Sequence, residues 1–265
     1  MHERDADDIA QVLRRWAAHV IGDGDASTPV DGRRLCILVE NLTGRKPTAL
    51  QPSQNLSLVK AAFETMEESG LPAAALTCSP EEVANGDEGA VATLLWELAQ
   101  VFFISPQFPG ADGQWKGAMM AWCQSACAPR GVSVTDFHRS WQNGLALLSL
   151  LDASLNDPSV INMATIKQSS GNAAANVPLA LSIAQKSFSV PMVLEAEDLL
   201  APSIDERCQE LFLPLPSCPP TTRLSPLPFH PLMHHPRQPH AACLEKRIVC
   251  KCTLETYRNQ GGGNS

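Results

Sequence analysis

Apolar positions recur along this chain at helical rather than strand spacing. Ile9, Val12, Leu13, Trp16, Ala17 and Val20 fall at i, i+3, i+4, i+7 intervals and predict an amphipathic helix over residues 9–20. Leu35, Leu38, Val39 and Leu42 repeat the pattern ahead of Gly44 and Pro47. Leu56, Val59, Phe63 and Met66 repeat it again before Gly70 and Pro72, which end a third helix. A fourth is predicted over residues 88–103 and carries two apolar stripes. At 100° per residue, Val91, Leu94, Leu95, Leu98 and Phe102 share one face, and Ala92, Trp96, Ala99 and Phe103 share another about 110° away. Such a helix either sits centrally in a bundle, packed on both sides, or binds a partner; packing is the preferred reading.

The pattern then starts again. Trp115, Ala118, Met119, Trp122, Cys123 and Ala126 form a face like that of the first helix. Asn143-Gly144-Leu145-Ala146-Leu147-Leu148 mirrors Asp31-Gly32-Arg33-Arg34-Leu35-Cys36-Ile37-Leu38, and Glu197-Asp198-Leu199 mirrors Glu81-Glu82-Val83. Residues 177–188 supply the second copy of the third helix, with Asn176 as its expected cap and Pro178 in its first turn. A period near 110 residues is too long for a solenoid, so the chain reads as two tandem helical domains joined around Ser105-Pro106-Gln107-Phe108-Pro109-Gly110.

Composition agrees with helices. Aromatic content is 5% with a single tyrosine, which disfavours a protein built on aromatic strands. No apolar run reaches the ~18 residues of a membrane helix, and Met1-His2-Glu3-Arg4-Asp5 lacks a signal-peptide layout, so a cytosolic, non-spanning protein is expected. The nine cysteines are scattered and read mostly as free thiols, several of them small core residues. The net charge of −8 is uneven: residues 211–265 hold six Lys+Arg against two Asp+Glu, leaving the first 210 residues at −12. An acidic body argues against nucleic-acid binding, which needs clustered cations on phosphate.

Trp16, Asp31-Gly32-Arg33-Arg34-Leu35-Cys36, Leu42-Thr43-Gly44, Pro80-Glu81-Glu82-Val83-Ala84-Asn85-Gly86 and Leu94-Leu95-Trp96 form one motif series. Trp122-Cys123-Gln124, Ala128-Pro129, Val134, Phe137, Ser140-Trp141, Gly144-Leu145-Ala146, Asn176-Val177-Pro178-Leu179-Ala180-Leu181, Val190-Pro191 and Glu195-Ala196-Glu197-Asp198-Leu199 form the second. Over about residues 8–209 the two series resemble the tandem calponin-homology pair of actin-binding domains of the α-actinin, spectrin, filamin and dystrophin type. The resemblance implies an all-α fold: a first calponin-homology repeat at 8–104, a linker at 105–112, a second repeat at 113–210 and a disordered Pro-rich tail at 211–265. Trp16, Trp96, Trp122 and Trp141 are then mostly core.

The same resemblance implies a non-enzymatic module of the cytoplasmic actin cytoskeleton that binds filamentous actin, with no cofactor or metal. Mapped onto this chain, the family's contact surfaces contain Gln11, Arg14, Arg15 and His19 on the first helix, Thr93, Glu97 and Gln100 on the fourth, and Lys116 and Gln124 on the first helix of the second repeat. Phosphoinositides are ligands of some members, and Lys116, Arg130 and Arg139 are the basic candidates for them, a scattered set for a lipid site. The alternative is a signalling or microtubule adaptor that does not bind actin.

Two departures and three rival readings accompany the match. Trp16 to Gly32 spans 16 positions against 22 from Trp122 to Gly144, so the first loop of the first repeat is short. After Asp205-Glu206-Arg207 the chain runs into Pro214, Pro216, Pro219 and Pro220, so the second repeat is expected to lack its last helix. Four or five large side chains at roughly 1.5–3 kcal/mol each would rival a domain's whole stability. Met120, Leu145, Leu148 and Leu181 are therefore expected on a partly uncovered core. The tail's His230, His234, His235, His240, Cys243, Cys250 and Cys252 lack paired Cys-x-x-Cys arms for zinc, and Pro226-Leu227-Pro228 is a weak SH3-type motif. An enzyme using Cys123 or Cys127 with His138 as base lacks an orienting acid.

Overall fold

Eleven α-helices account for most of the residues described in the computed structural model, which covers 3–213 other than 110–113, 156, 158, 169–171, 189, 192 and 202–203; among these residues there is no strand. The first repeat comprises α1 (Glu3–Ile21), α2 (Gly32–Thr43), α3 (Asn55–Glu68), α4 (Pro80–Ala84) and α5 (Glu88–Leu98), with α5 running into a π-helical turn over Ala99–Ile104. The second comprises α6 (Trp115–Cys127), α7 (Leu145–Leu155), α8 (Met163–Gln168), α9 (Ala173–Phe188), α10 (Ala196–Leu200) and α11 (Glu206–Phe212).

Local chemistry sets these boundaries. Asp31 and Asp87 cap α2 and α5, their carboxylates accepting from the N–H groups of Arg34 (2.9 Å) and Ala90 (2.8 Å). Ser79 and Glu82 close a capping box around the proline-started α4. In the second repeat, the Glu195 N–H donates to Asp198 at 2.7 Å at the start of α10. Thus the two acidic motifs that the sequence pairs do start equivalent short helices, each sending one apolar residue, Val83 or Leu199, into the core.

The repeats share a packing scheme. α2 lies on α3 and α7 on α9, while α1 and α6 pack on α2 and α7. At each crossing a glycine brings two backbones together. The Gly32 N–H donates to Asn55 Oδ1 at 2.7 Å, and a Cβ on Gly32 would lie 2.7 Å from the Asn55 carbonyl oxygen. Gly144 has φ +73°, and a Cβ there would lie 2.8 Å from Asn176 Cβ; the Asn176 amide holds the approach by donating to the Asn143 carbonyl at 3.0 Å.

Several expectations change. Asn176 is buried inside α9 rather than capping it; the helix starts at Ala173, four residues before the expected 177, because Asn172 accepts from the Ala175 N–H at 3.2 Å, and this leaves Pro178 in the interior. Leu148 and Leu181 are buried, whereas Met120 and Leu145 are half-buried, so the proposed uncovered patch is not continuous. Trp16 and Trp141 are fully buried, but Trp96 and Trp122 are only half-buried. At the position where the sequence predicts no last helix, the seven-residue α11 is capped by Asp205 and buries Cys208, Leu211 and Phe212. Of the expected linker, 105–109 are described, and Phe108 is buried with its ring 5.5 Å from that of Trp122. The expected tail at 211–265 begins too early, because Leu211 and Phe212 belong to α11 and Leu213 is buried beside them; its remainder, 214–265, lies outside the described residues.

Candidate partner-binding surface

The first group of candidate residues lies along α1. Gln11 is exposed, and Arg14 reaches across to Glu88 at the start of α5 at 3.4 Å, a loose pair with the acid well solvated. Arg15 does something different. Its guanidinium donates to Asp198 at 2.7 Å, lies 3.1 Å from Glu195 and reaches the Val193 carbonyl at 3.4 Å, so it faces the second repeat and not solvent. Its side chain is 14% exposed and that of Asp198 19%, enough desolvation for this ion pair to outweigh a typical surface one. His19 is half-buried.

On α5 and the turn after it, Thr93, Glu97 and Gln100 are all half-buried. Burial raises the Glu97 pKa, and the Gln100 amide reaches its carboxylate at 3.5 Å. The two-striped character of this segment has a structural answer: α5 packs on α1, Phe103 lies 6.0 Å from Trp16 by ring centroid, and α11 of the second repeat packs on the π-helical turn. The Arg207 guanidinium sits 5.9 Å from the centre of the Trp96 ring while pairing with Asp205 at 2.5 Å. Half-burial of Trp96 therefore reflects a contact between repeats.

On α6, Gln124 is exposed and its amide donates to the Val134 carbonyl at 3.0 Å. The Lys116 ammonium lies 3.0 Å from Glu206 and 2.6 Å from Glu210, both on α11. Burial alone would lower its pKa, but the two carboxylates outweigh that and raise it. Glu210 is 2% exposed and its pKa is raised by burial, with Lys116 opposing. The structure thus links α6 to α11 and α11 to α1; it engages Arg15 in a largely buried ion pair and Lys116 in a surface one, its side chain 47% exposed, while leaving Gln11 and Gln124 outward.

The three basic candidates for a lipid headgroup are not gathered. Lys116 is held as described, Arg130 pairs with Asp152 at 2.5 Å and donates to the Ala126 carbonyl, and Arg139 is exposed. The thiols of Cys123 and Cys127 are buried, and burial raises both pKa values, that of Cys127 to about 11, which disfavours a thiolate nucleophile. His138 contacts the Ile204 carbonyl at 2.9 Å through Nδ1. No cluster of potential metal ligands occurs among the described residues.

One residue that sequence reasoning passed over organises the short first loop. Arg34 is buried, and its guanidinium contacts Asp23 (3.1 Å), the Asp25 carbonyl (2.7 Å) and the Thr28 carbonyl. The only sequence signal was the DGRR motif itself, whose second arginine falls on the inner face of α2. The Arg15 partners gave no such signal, because they lie about 180 residues away.

Residues 114–215 match the calponin homology (CH) domain family. Human calmin is 28% identical over 221 residues, covering 67% of this chain and 21% of calmin. Mouse alpha-actinin-3 is 26% identical over 183 residues, covering 67% and 20%. Alpha-actinin-like protein 1 of Schizosaccharomyces pombe is 33% identical over 148 residues, covering 54% and 22%. The chain therefore spans about a fifth of the length of these relatives. Among solved structures, the actin-crosslinking core of Schizosaccharomyces pombe fimbrin matches with a TM-score of 0.59 at 16% identity, over 82% of this chain and 49% of that one.

Proposed function

We propose that this chain, a calponin-homology protein resembling the α-actinin and calmin type, is a non-catalytic actin-filament-binding module of the cytoplasmic cytoskeleton. The observation that carries the reading is the alignment of two thirds of the chain with α-actinins, supported by a fold shared with a core named for actin crosslinking. A filament is met by an extended surface, with apolar contact ringed by polar groups, rather than by a cleft. The exposed Gln11 on α1 and Gln124 on α6, with the half-buried Arg14 and His19 on α1 and Thr93, Glu97 and Gln100 on α5 and its extension, are the contact candidates. Arg15 joins them only where its ion pairs open, and Lys116, 47% exposed, would share its ammonium between a partner and the α11 carboxylates.

The test is cosedimentation of residues 1–265 with filamentous actin across a salt series, with circular dichroism of the same sample as folding control. Saturable pelleting by helical protein supports the module. Absence of pelleting by folded protein would turn the reading toward an adaptor that uses the same fold without actin.

A further inference from the structure

The first repeat carries a surface feature that no actin-contact residue uses. Between α3 and the crossing segment 73–81 lies an open trough of about 470 Å³. Its apolar lining is Phe63 from α3, and Ala73, Leu76, Cys78 and Pro80 from the crossing segment. Its charged groups are three carboxylates, Glu64, Glu67 and Glu81, against one ammonium, Lys60. Lys60 is bonded to Glu81 at 2.8 Å, which leaves Glu64 and Glu67, both exposed, as the uncompensated charge. Across the Lys60–Glu64 ridge a second hollow of about 320 Å³ continues the surface and is bordered by Leu50, which is 98% exposed.

We propose that this trough is a docking site for a cationic amphipathic helix of a partner protein. Charge complementarity selects the occupant. A net charge of −2 around an apolar floor repels phosphates, and so disfavours nucleic acid and lipid headgroups, while it attracts Lys and Arg. Glu64 and Glu67 stand about one helical turn apart, ~4.5 Å along α3, the spacing at which i and i+3 or i+4 cations recur on a helix laid alongside. Apolar residues on the same face of that helix would enter the floor, as in other helix-in-groove recognition, and Leu50 would extend the contact. An open trough suits side chains projecting from a larger partner better than a small molecule, which needs most of its surface enclosed.

The test uses the full chain, labelled with nitrogen-15, and as probe an acetylated 14-residue Leu/Lys amphipathic peptide, with the matching Leu/Glu peptide as charge control. Chemical-shift changes are expected within residues 48–81, with none from the Leu/Glu peptide. Glu64→Lys is expected to weaken binding about tenfold and Leu50→Ser about threefold. Glu197→Lys, the same charge change at an exposed site on the second repeat, should change it less than twofold. Equal losses from Glu64→Lys and Glu197→Lys, shifts spread over the acidic surface, or no binding would each overturn the proposal. The same variants are run in actin cosedimentation, so this result is separable from the actin reading. Loss of pelleting by Glu64→Lys would make the trough a filament contact and overturn the proposed occupant.

Discussion

Three glycines allow the cost of backbone conformation to be separated from the cost of close approach. Gly86 has φ +78° with nothing within 4 Å of an added Cβ; Gly32 has no positive φ, but an added Cβ meets Asn55 and Leu58 atoms at 2.7 Å; Gly144 combines φ +73° with contacts of 2.8–2.9 Å to Asn176 and Val177. An L-residue in the left-handed region costs about 1–2 kcal/mol. Forcing a methyl group into a filled crossing costs about 1–3 kcal/mol. Gly86→Ala should therefore lose about 1–2 kcal/mol, Gly32→Ala about 1–3, and Gly144→Ala about 2–5, a large share of a whole domain's roughly 5–15 kcal/mol. Urea unfolding followed by circular dichroism reads all three, since a substitution that leaves the slope unchanged reports stability through its midpoint. Neither clash atom is the far end of a flexible chain: the Gly144 contacts include the Asn176 and Val177 backbone, so relaxation means separating α7 from α9. If Gly144→Ala loses no more than Gly86→Ala, the close packing of those helices is not what the glycine serves.

Other outcomes follow from the same geometry. A double-mutant cycle on Arg15→Ala and Asp198→Asn should give a coupling of about 1–3 kcal/mol in denaturant unfolding, because the pair is charge-assisted and largely desolvated; zero coupling would mean the repeats do not dock through it. Trp141 donates to the Asp136 carbonyl at 2.8 Å, whereas the buried Trp16 Nε1 has no acceptor among the described residues, so Trp141→Phe should cost about 1 kcal/mol more than Trp16→Phe. Burial opposes ionisation of Asp136, yet the N–H groups of Ser140 and His138 and the hydroxyls of Thr135 and Ser140 outweigh it and hold its pKa at about 2. A depressed folded pKa gives stability that is complete above the unfolded value near 3.8 and lost as pH falls toward 2, and Asp136→Asn should flatten unfolding free energy against pH in that window.

Helix existence was legible wherever apolar residues kept a 3.6-residue period, as in α1, α2, α3 and α6, and so was the duplication, because glycine and acid motifs recur at fixed offsets. Boundaries were less so. Asn176 reads as a cap beside Pro178, yet its amide serves the α7 crossing, a tertiary task with no local signature. The α11 region was masked in the sequence by the prolines that follow; the cap at Asp205 and the spacing of Cys208, Leu211 and Phe212 are enough for two turns before Pro214. Side-chain direction on the candidate surface was the least legible of all. Arg15 sits next to Arg14, and only the distant acids at Glu195 and Asp198 decide that one points across the repeat boundary while the other points to its own α5.

That division of neighbouring arginines bears on how the proposed function operates. If filament contact used α1 as a uniformly basic strip, Arg14 and Arg15 would be equivalent and both would lose affinity steeply when neutralised. The geometry makes them unequal: Arg14 is tied loosely to a solvated Glu88, whereas Arg15 is held by two carboxylates and a carbonyl. Neutralising Arg14 should weaken actin cosedimentation roughly in proportion to the lost cation, with a salt dependence, since exposed charges are screened. Neutralising Arg15 removes a contact between repeats before it removes any contact with a filament, so its effect should appear first in thermal unfolding and only secondarily in pelleting. Equal pelleting losses from Arg14→Gln and Arg15→Gln at unchanged stability would show that the ion pair opens on the filament and that Arg15 belongs to the contact surface after all.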